Sequence, residues 1–377
     1  NQPMTDENPD QGPLLELRKA LDELDHELLG LLVKRMGIVA EVAARKRSHR
    51  VRIRDLARER RILEDRCARA EELGLSPDSV ESIWRQLMLM SRERQAALRA
   101  EVPPDVAPQT IAIIGGKGGM GGSLNTLFSD LGHEVLIADL QTELRPEAAA
   151  AGADVVIISV PIRATRGVIE ALGPRVRKDA LLMDVTSIKT DPMNAMLAST
   201  EASVVGTHPM FGPGVNTYQG QRVVICPGRG DAWLEWTRQM FSARGLVITE
   251  TTAAHHDSMM AIVQVLHHFK TQVLGLALSR AGSPLEETLR FTSPAYLLET
   301  YVAGRHFAQS PELYGPIEML NPDAQDVIGI FQQAAADLGN ILAQQDQAAF
   351  DQVFADVRAF FGEFTEEALE QSGFLID

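Results

Sequence analysis

The stretch VVGTHPMFGP, Val204–Pro213, places an imidazole where an apolar strand gives way to prolines. A histidine at a strand end is often only structural; its other use is as a base near neutral pH. Two further features favour the base. A glycine run, GGKGGMGG, follows the apolar TIAII, and within it Gly116, Gly118 and Gly121 fit G-x-G-x-x-G, with Gly115 an alternative first member. Asp139 then closes the next apolar run, EVLIAD. A strand, a glycine loop, a helix and an acid ending the second strand together specify a dinucleotide site. Glycines let the backbone approach a pyrophosphate at the helix N-terminus, and the carboxylate accepts from a ribose hydroxyl. A carboxylate there repels a 2′-phosphate, so NAD is expected rather than NADP. Pro161, Ser187 and His208 are expected just past the carboxyl ends of successive strands, on the edge where open parallel sheets bind ligands. A base beside a nicotinamide is the chemistry implied, with activity rising with pH through about 6.5, the unperturbed imidazole value.

A second set of charged residues lies far upstream. From Leu14 to about His49 there is no proline, and apolar residues recur at Leu17, Leu21, Leu24, Leu28, Leu31, Ile38 and Val42 with helical spacing. Arg35 falls in that seam, where a guanidinium is costly unless an anion neutralises it. Lys46 follows about three turns later on the same face, roughly 16 Å along the axis, so two long side chains can lean over one small anionic ligand. Arg18 lies roughly 25 Å from Arg35 and can join that ligand only from a partner subunit. The competing reading of Arg35 is a register device or a snorkelling rim residue. The basic run RKRSHRVRIR, Arg45–Arg54, is not read as a nucleic-acid patch. Acidic residues follow at once, no aromatic is interleaved, and the chain carries a net charge of -15.

These residues need scaffolds of two kinds. At 377 residues the chain is long enough for two or three domains. Its mean hydropathy of -0.06 is that of a globular protein, and no apolar run is long enough to span a bilayer. The polar start NQPMTDENPD lacks the apolar core of a signal peptide, and the two cysteines, Cys67 and Cys226, suggest neither a disulfide framework nor a metal site. A cytoplasmic protein without membrane attachment is expected. The first hundred residues nearly balance in charge, so almost all the negative charge is carried by the rest. The boundary falls at EVPPDVAPQ, Glu101–Gln109, where three prolines make a stiff connector.

Before that linker the long helix, about 50 Å, must pack on another chain or on returning helices, which DLARERRILEDRCARAEEL and SVESIWRQLMLMSRERQAAL supply. After it, TIAII, EVLIAD, DVVIISV, ALLMDV and SVVGTH are short apolar runs separated by helix-length segments, the pattern of a parallel sheet with crossover helices. Beyond Ser279 the chain reads as helix, with broad apolar stripes from Val327 to Leu342 and from Phe350 to Phe361 that suit a dimerisation domain closing a cleft.

Two resemblances sharpen these readings. LLELRKALDELDHELLGLLVKRMGIVAEVAARK, RDLARER and SRERQ resemble the all-helical class of chorismate mutase over nearly all of residues 12 to 98. That resemblance implies that Arg18 of the other subunit, Arg35 and Arg58 grip two carboxylates, and that Lys46 and Gln95 bond an ether oxygen. It also implies that Asp55 and Glu59 hold the ring hydroxyl end, with Ser91 completing the pocket. Asp55, Arg58 and Glu59 at i, i+3, i+4, and Ser91 and Gln95 at i, i+4, each share one helical face.

SVPI (Ser159–Ile162), DVTSIK (Asp184–Lys189), THPMFGP (Thr207–Pro213) and GRHFAQ (Gly304–Gln309) resemble prephenate dehydrogenase, over residues 110 to about 370. By that resemblance His208 takes the proton of the ring hydroxyl of prephenate. Ser187 bonds that hydroxyl and orients His208, Arg305 pairs with a substrate carboxylate, and Pro161 lies against the cofactor. Together the halves resemble the bifunctional enzymes of bacterial tyrosine biosynthesis, with tyrosine as the expected feedback inhibitor. The alternatives are a dehydrogenase with an inactive regulatory mutase-like domain, and a Rossmann redox sensor with a helical arm.

His255, His256, His267 and His268 in AAHHDSMMAIVQVLHHFK look like a metal cluster, but on one helix the pairs lie about 16 Å apart, too far to share an ion. No metal is expected, and His256 and His268 are assigned to the substrate cleft or subunit contact. The fold expected is multidomain: an all-α mutase domain (12–100), a linker (101–109), an α/β Rossmann NAD-binding domain (110–254) and an all-α domain for dimerisation and the substrate cleft (255–377). The functional form expected is a homodimer acting on chorismate and prephenate.

Overall fold

A computed structural model describes residues 11–48, 56–99, 106–215 and 217–376. The chain divides into two compact units, Asn1–Glu101 with Thr217–Gln219, and Val102–Asn216 with Gly220–Asp377.

The first unit is three helices: α1 (Gln11–Ser48), α2 (Leu56–Glu72) and α3 (Pro77–Arg99). Both α1 and α2 pack on α3. The contact leaves much of the α1 apolar stripe in the open. Leu21, Leu24, Leu28 and Leu31 are each more than half exposed, whereas Ala43 on α1 and Val80 and Met88 on α3 are buried. Unpartnered leucines along so long a helix are a large apolar surface that folding of one chain does not satisfy.

The second unit is built on a seven-stranded sheet: β1 (Thr110–Ile114), β2 (Glu134–Ala138), β3 (Val155–Ile158), β4 (Leu181–Asp184), β5 (Ser203–Pro209), β6 (Arg222–Arg229) and β7 (Val247–Glu250). Their order is β2-β1-β3-β4-β5-β6-β7, parallel except where β6 runs against β5. The helices α4 (Gly119–Asp130), α5 (Pro146–Gly152), α6 (Ile162–Leu172), α7 (Thr190–Ser199) and α8 (Asp231–Ala243) follow β1, β2, β3, β4 and β6. Strands covered on both faces are nearly continuous apolar runs, and β3 and β4 are buried at every residue, apolar but for Asp184 at the end of β4. The order of strands reverses at β1, so the crevice between the ends of β1 and β3 is the topological switch point.

The five runs read as strands from sequence are all present. RVVICPGR and VITE add β6 and β7 beyond them.

The rest of the second unit is helical: α9 (Ala253–Met260), α10 (His267–Arg280), α11 (Leu285–Arg290), α12 (Pro294–Phe307), α13 (Pro311–Met319), α14 (Ala324–Gln344), α15 (Gln347–Phe361) and α16 (Phe364–Ile376). A π-helical segment, Ala261–Leu266, joins α9 to α10 without a break, so the four histidines expected on one helix do share one continuous helical run. Along α14 to α16, Ile330, Leu342, Phe354, Phe360 and Leu369 are more than half exposed. Like the face of α1, these stripes remain largely exposed in one chain.

Candidate active sites

In the helical unit Arg35 crosses from α1 to α3. Its Nη1 donates to Leu87 O at 3.0 Å and to Ser91 Oγ at 2.5 Å, and the Ser91 hydroxyl donates in turn to Leu87 O at 2.5 Å. Ser91 is therefore locked by its own helix with a lone pair toward the guanidinium. Burial lowers the Arg35 pKa, yet a guanidinium keeps its proton, so a fixed cation is held at a part-buried place. Gln95, one turn beyond Ser91, is buried, and its Oε1 has no hydrogen-bond partner among the described residues. A buried amide oxygen without such a partner is available to a ligand donor.

Glu59 on α2 is half-buried and accepts from Arg92 Nη1 at 2.7 Å. Arg58 beside it and Arg18 near the start of α1 are exposed. Arg92 was not foreseen, although SRERQ contains it; only the packing of α2 on α3 shows which arginine faces Glu59. Asp55 and the side chain of Lys46 lie outside the described residues.

At the sheet, β1 turns into its loop at Gly115, whose φ is +83°. A Cβ there would stand 2.3 Å from Ser159 O at the end of β3. Gly121 opens the first turn of α4 so closely under the loop that a Cβ would meet Gly115 O at 2.6 Å. The extra glycine before the fingerprint is thus the one that takes the left-handed turn, followed by Gly116, Gly118 and Gly121. No described side chain caps α4 at Gly118, which leaves its first-turn N–H groups open to an anion. Asp139, just past β2, accepts from Lys117 N–H at 3.2 Å and from Leu140 N–H at 2.8 Å. Pro161 is the exposed N-cap of α6 on the same edge. These residues fit a dinucleotide: an open helix N-terminus, glycines where side chains would clash, and a carboxylate at the ribose position.

His208 lies one residue inside β5, not past its end as expected, because the strand runs on to Pro209. It is 3% exposed, and Thr207 before it anchors the strand by donating from Oγ1 to Asp184 O at 2.7 Å. His208 Nδ1 lies 2.9 Å from His256 Nε2, and His256 Nδ1 lies 2.9 Å from Asp257 Oδ1. Asp257 accepts further from the backbone N–H groups of Lys189 at 2.8 Å and Thr190 at 2.9 Å. Burial pushes the Asp257 carboxyl up, and these bonds more than reverse it, holding the group ionised below its ordinary range.

The other ring nitrogen, His208 Nε2, faces the Gln264 amide at 3.4 Å. Gln264 sits in the π-helical segment, a distortion that often marks functional positions.

Two expectations change here. Ser187, three residues past β4 and half-buried, does not bond His208 among the described residues; His256 orients the ring instead. Burial, with the charge of the nearby Lys189 adding to it, lowers the His208 pKa well below 6.5. The loop after His208 folds back to the glycines, where a Cβ on Gly119 would stand 2.9 Å from Pro213 Cγ. The THPMFGP motif thereby ties His208 to the glycine loop.

Under β5, Lys189 and Asp184 form an ion pair with both side chains 0% exposed, which Thr186 joins through its hydroxyl. A buried pair of this kind costs desolvation and holds one geometry, here the loop that carries Ser187.

In the helical region His268 lies against Tyr314, with ring centroids 4.8 Å apart, and His306 stacks on Tyr314 at 3.9 Å. Gln272 Nε2 donates to Glu318 Oε1 at 2.7 Å. Burial, with His306 and His267, takes the His268 pKa down to about 4, and burial raises Glu318. Arg305, exposed on α12, is near enough to lower the pKa of the Tyr314 phenol against the effect of burial. His256 and His268, neighbours in sequence pattern, thus serve different surroundings. Among the described residues no three metal-ligating side chains converge.

The two sites match known domains in the same order. Residues 17–96 match the family of chorismate mutase type II, residues 121–250 the prephenate dehydrogenase nucleotide-binding domain, and residues 252–356 the prephenate dehydrogenase dimerization domain. The T-protein of Haemophilus influenzae is 36% identical over 361 residues, 95% of either chain. That of Enterobacter agglomerans is 35% identical over 365 residues, 96% of this chain and 97% of the other. The chain belongs to the T-protein family.

As a T-protein it is a bifunctional chorismate mutase and prephenate dehydrogenase of tyrosine biosynthesis, and the redox-sensor reading is set aside. Solved structures support the fold of its larger unit. The Aquifex aeolicus prephenate dehydrogenase, bound to hydroxyphenyl propionate and NAD+, covers 68% of this T-protein and 98% of its own chain, with a TM-score of 0.57 at 18% identity. Synechocystis arogenate dehydrogenase covers 66% and 98%, with a TM-score of 0.54 at 19% identity.

Proposed function

We propose that residues 12–100 rearrange chorismate to prephenate, and that residues 110–254 and 255–377 together oxidise prephenate with NAD to 4-hydroxyphenylpyruvate, in a cytoplasmic homodimer. The first reaction is intramolecular and needs no nucleophile. The protein has to hold the compact conformer and to stabilise negative charge growing on the ether oxygen. Arg35, fixed by Ser91, supplies a cation for a carboxylate, and Arg58 and the partner's Arg18 supply the others. Lys46 and Gln95 bond the ether oxygen, and Asp55 and Glu59 hold the hydroxyl end. The unpartnered leucines of α1 support the homodimer, because they are the face along which a second α1 would bring its Arg18 to the pocket.

In the second reaction His208 Nε2 takes the proton of the ring hydroxyl as the carbon–hydrogen bond of the same carbon breaks with its electron pair. Gly116, Gly118, Gly121, Asp139 and Pro161 hold NAD, which when bound supplies the hydride acceptor. Ser187 bonds the hydroxyl, Arg305 pairs with a carboxylate, and His268 lines the cleft. Loss of carbon dioxide then makes the ring aromatic, which renders the step irreversible.

The observation that carries this reading is His208: buried, held neutral by its surroundings, and tied at Nδ1 so that Nε2 is the remaining nitrogen. Tyrosine as feedback inhibitor rests on the resemblance, and the thiols Cys67 and Cys226, which form no disulfide, suit a reducing compartment. Assay of both turnovers on the whole chain tests the proposal. Chorismate must be consumed without NAD, and prephenate must reduce NAD; a chain that did only the second would have an inactive mutase domain.

A further inference from the structure

We infer that His256, anchored by Asp257, is a positioning residue that holds His208 in the tautomer with its proton on Nδ1, so that Nε2 is the basic atom. The inference rests on the reading of His208 as the base and adds what makes one of its two nitrogens basic. Its starting point is the direction of the hydrogen bonds. Asp257 already accepts from two backbone N–H groups and is ionised, so toward His256 Nδ1 it can only accept. His256 Nδ1 therefore carries a proton, and in a neutral imidazole the other nitrogen is then an acceptor.

At 2.9 Å from that acceptor, His208 Nδ1 must donate. Nε2 of His208 is left with its lone pair, and the group it faces, the Gln264 amide nitrogen, is a donor. The opposite arrangement, with His208 Nδ1 accepting, needs a second proton on His256 and so an imidazolium in a residue only 1% exposed.

Asp257 and His256 open the helical region, while His208 belongs to the sheet, so the relay also fixes the two against each other. Asn321 secures it from the far side by donating from Nδ2 to Asp257 O at 2.8 Å. Thr252, whose Oγ1 accepts from His255 N–H at 3.2 Å, caps the helix that presents His256. An imidazole without such a partner is shared between two tautomers, one of which cannot act as a base at Nε2.

The test is the tautomer itself, read in the full chain labelled with 15N-histidine, with His208 assigned by the signals lost in His208→Asn. The wild-type spectrum is expected to show His208 protonated at Nδ1 and bare at Nε2. Two variants accompany it. His256→Gln keeps an acceptor of similar reach and should keep both the tautomer and a kcat within a few-fold of wild type. His256→Leu removes the acceptor; it should shift His208 toward the Nε2-protonated form and lower dehydrogenase kcat on the order of a hundredfold, with KM for NAD and mutase turnover unchanged, since a base offered in the wrong tautomer has cost up to about 10⁴-fold elsewhere. A wild-type His208 carrying its proton on Nε2 overturns the inference, as does a His256→Leu chain with wild-type kcat. Should His256→Leu lose NAD binding through misfolding, the wild-type spectrum and His256→Gln still decide. An active His208→Asn would instead remove the base assignment, which the spectrum does not touch.

Discussion

The backbone N–H of Lys117 donates to Asp139 Oδ2 at 3.2 Å, tying the acid that ends the second strand to the glycine loop that follows the first. The Leu140 N–H holds the other oxygen at 2.8 Å, so the carboxylate cannot swing aside to admit an anion. If this is the ribose position as proposed, a negative charge there accepts from hydroxyls and repels a phosphate.

Asp139→Ser removes that charge and keeps a short polar side chain. Hydrogen bonds to a charged group contribute about 1.5–3 kcal/mol, so KM for NAD should rise roughly tenfold to a hundredfold while KM for NADP falls. Steady-state assays with either cofactor read both. Unchanged KM values would mean that the discriminating acid lies elsewhere.

In the mutase half, Gln95 is buried with Oε1 unpaired one turn from Ser91, and Lys46 belongs to the helix that sends Arg35 to that serine. Charge on the ether oxygen grows only in the transition state, so a cation aimed there lowers the barrier without tightening ground-state binding. Lys46→Ala should lower mutase kcat by roughly a hundredfold or more, with dehydrogenase turnover intact. Parallel loss of both activities would point to unfolding instead.

The exposed seam of α1 gives a separate test. Leu28 is 57% exposed in one chain, and if a second α1 covers it, a charge there must be desolvated on association. On the proposed arrangement Leu28→Glu should therefore cost mutase activity, through loss of a partner's Arg18, and leave the dehydrogenase, whose proposed dimer contact is the separate helical region matched at residues 252–356. Mutase kcat/KM at wild-type level would show that Arg18 is not supplied across this face.

These cases show where the sequence was legible. Period and punctuation carried the long α1 and the five parallel strands, because leucines at helical spacing without a proline report a continuous helix and apolar runs between turn residues report buried strands. The strands β6 and β7 were passed over because RVVICPGR is broken by a proline and VITE is short and largely exposed. The places of Gly121, Asp139 and His208 on one sheet edge, each set by one strand and its loop, were readable from spacing. Partnerships across elements were not: nothing in the residue pattern says that Arg92 meets Glu59, or that His256 rather than Ser187 reaches His208. Those depend on how two elements pack, and the pKa of His208 depends on the burial that packing creates.

That burial changes what the pH profile should look like. If His208 is the base as proposed, its neutral ring is the active form, and a pKa lowered well below 6.5 keeps the ring neutral to lower pH. Dehydrogenase kcat/KM should accordingly hold its plateau through pH 6.5 and fall only below it, the acid limb reporting protonation of the base. His208→Asn should abolish kcat and the acid limb together while leaving KM for prephenate and NAD close to wild type, because the ring is needed for proton removal rather than for binding. Arg305 lies exposed near Tyr314 and is the proposed charge for a substrate carboxylate, so Arg305→Ala should raise KM for prephenate and keep both kcat and the position of the acid limb. Mutase turnover should survive either change, since its residues belong to the other unit. If His208→Asn retained the wild-type rate and profile, the imidazole would be a strand-end anchor for the β5 edge, and the base would have to be sought at His268, whose own pKa of about 4 would then set the acid limb.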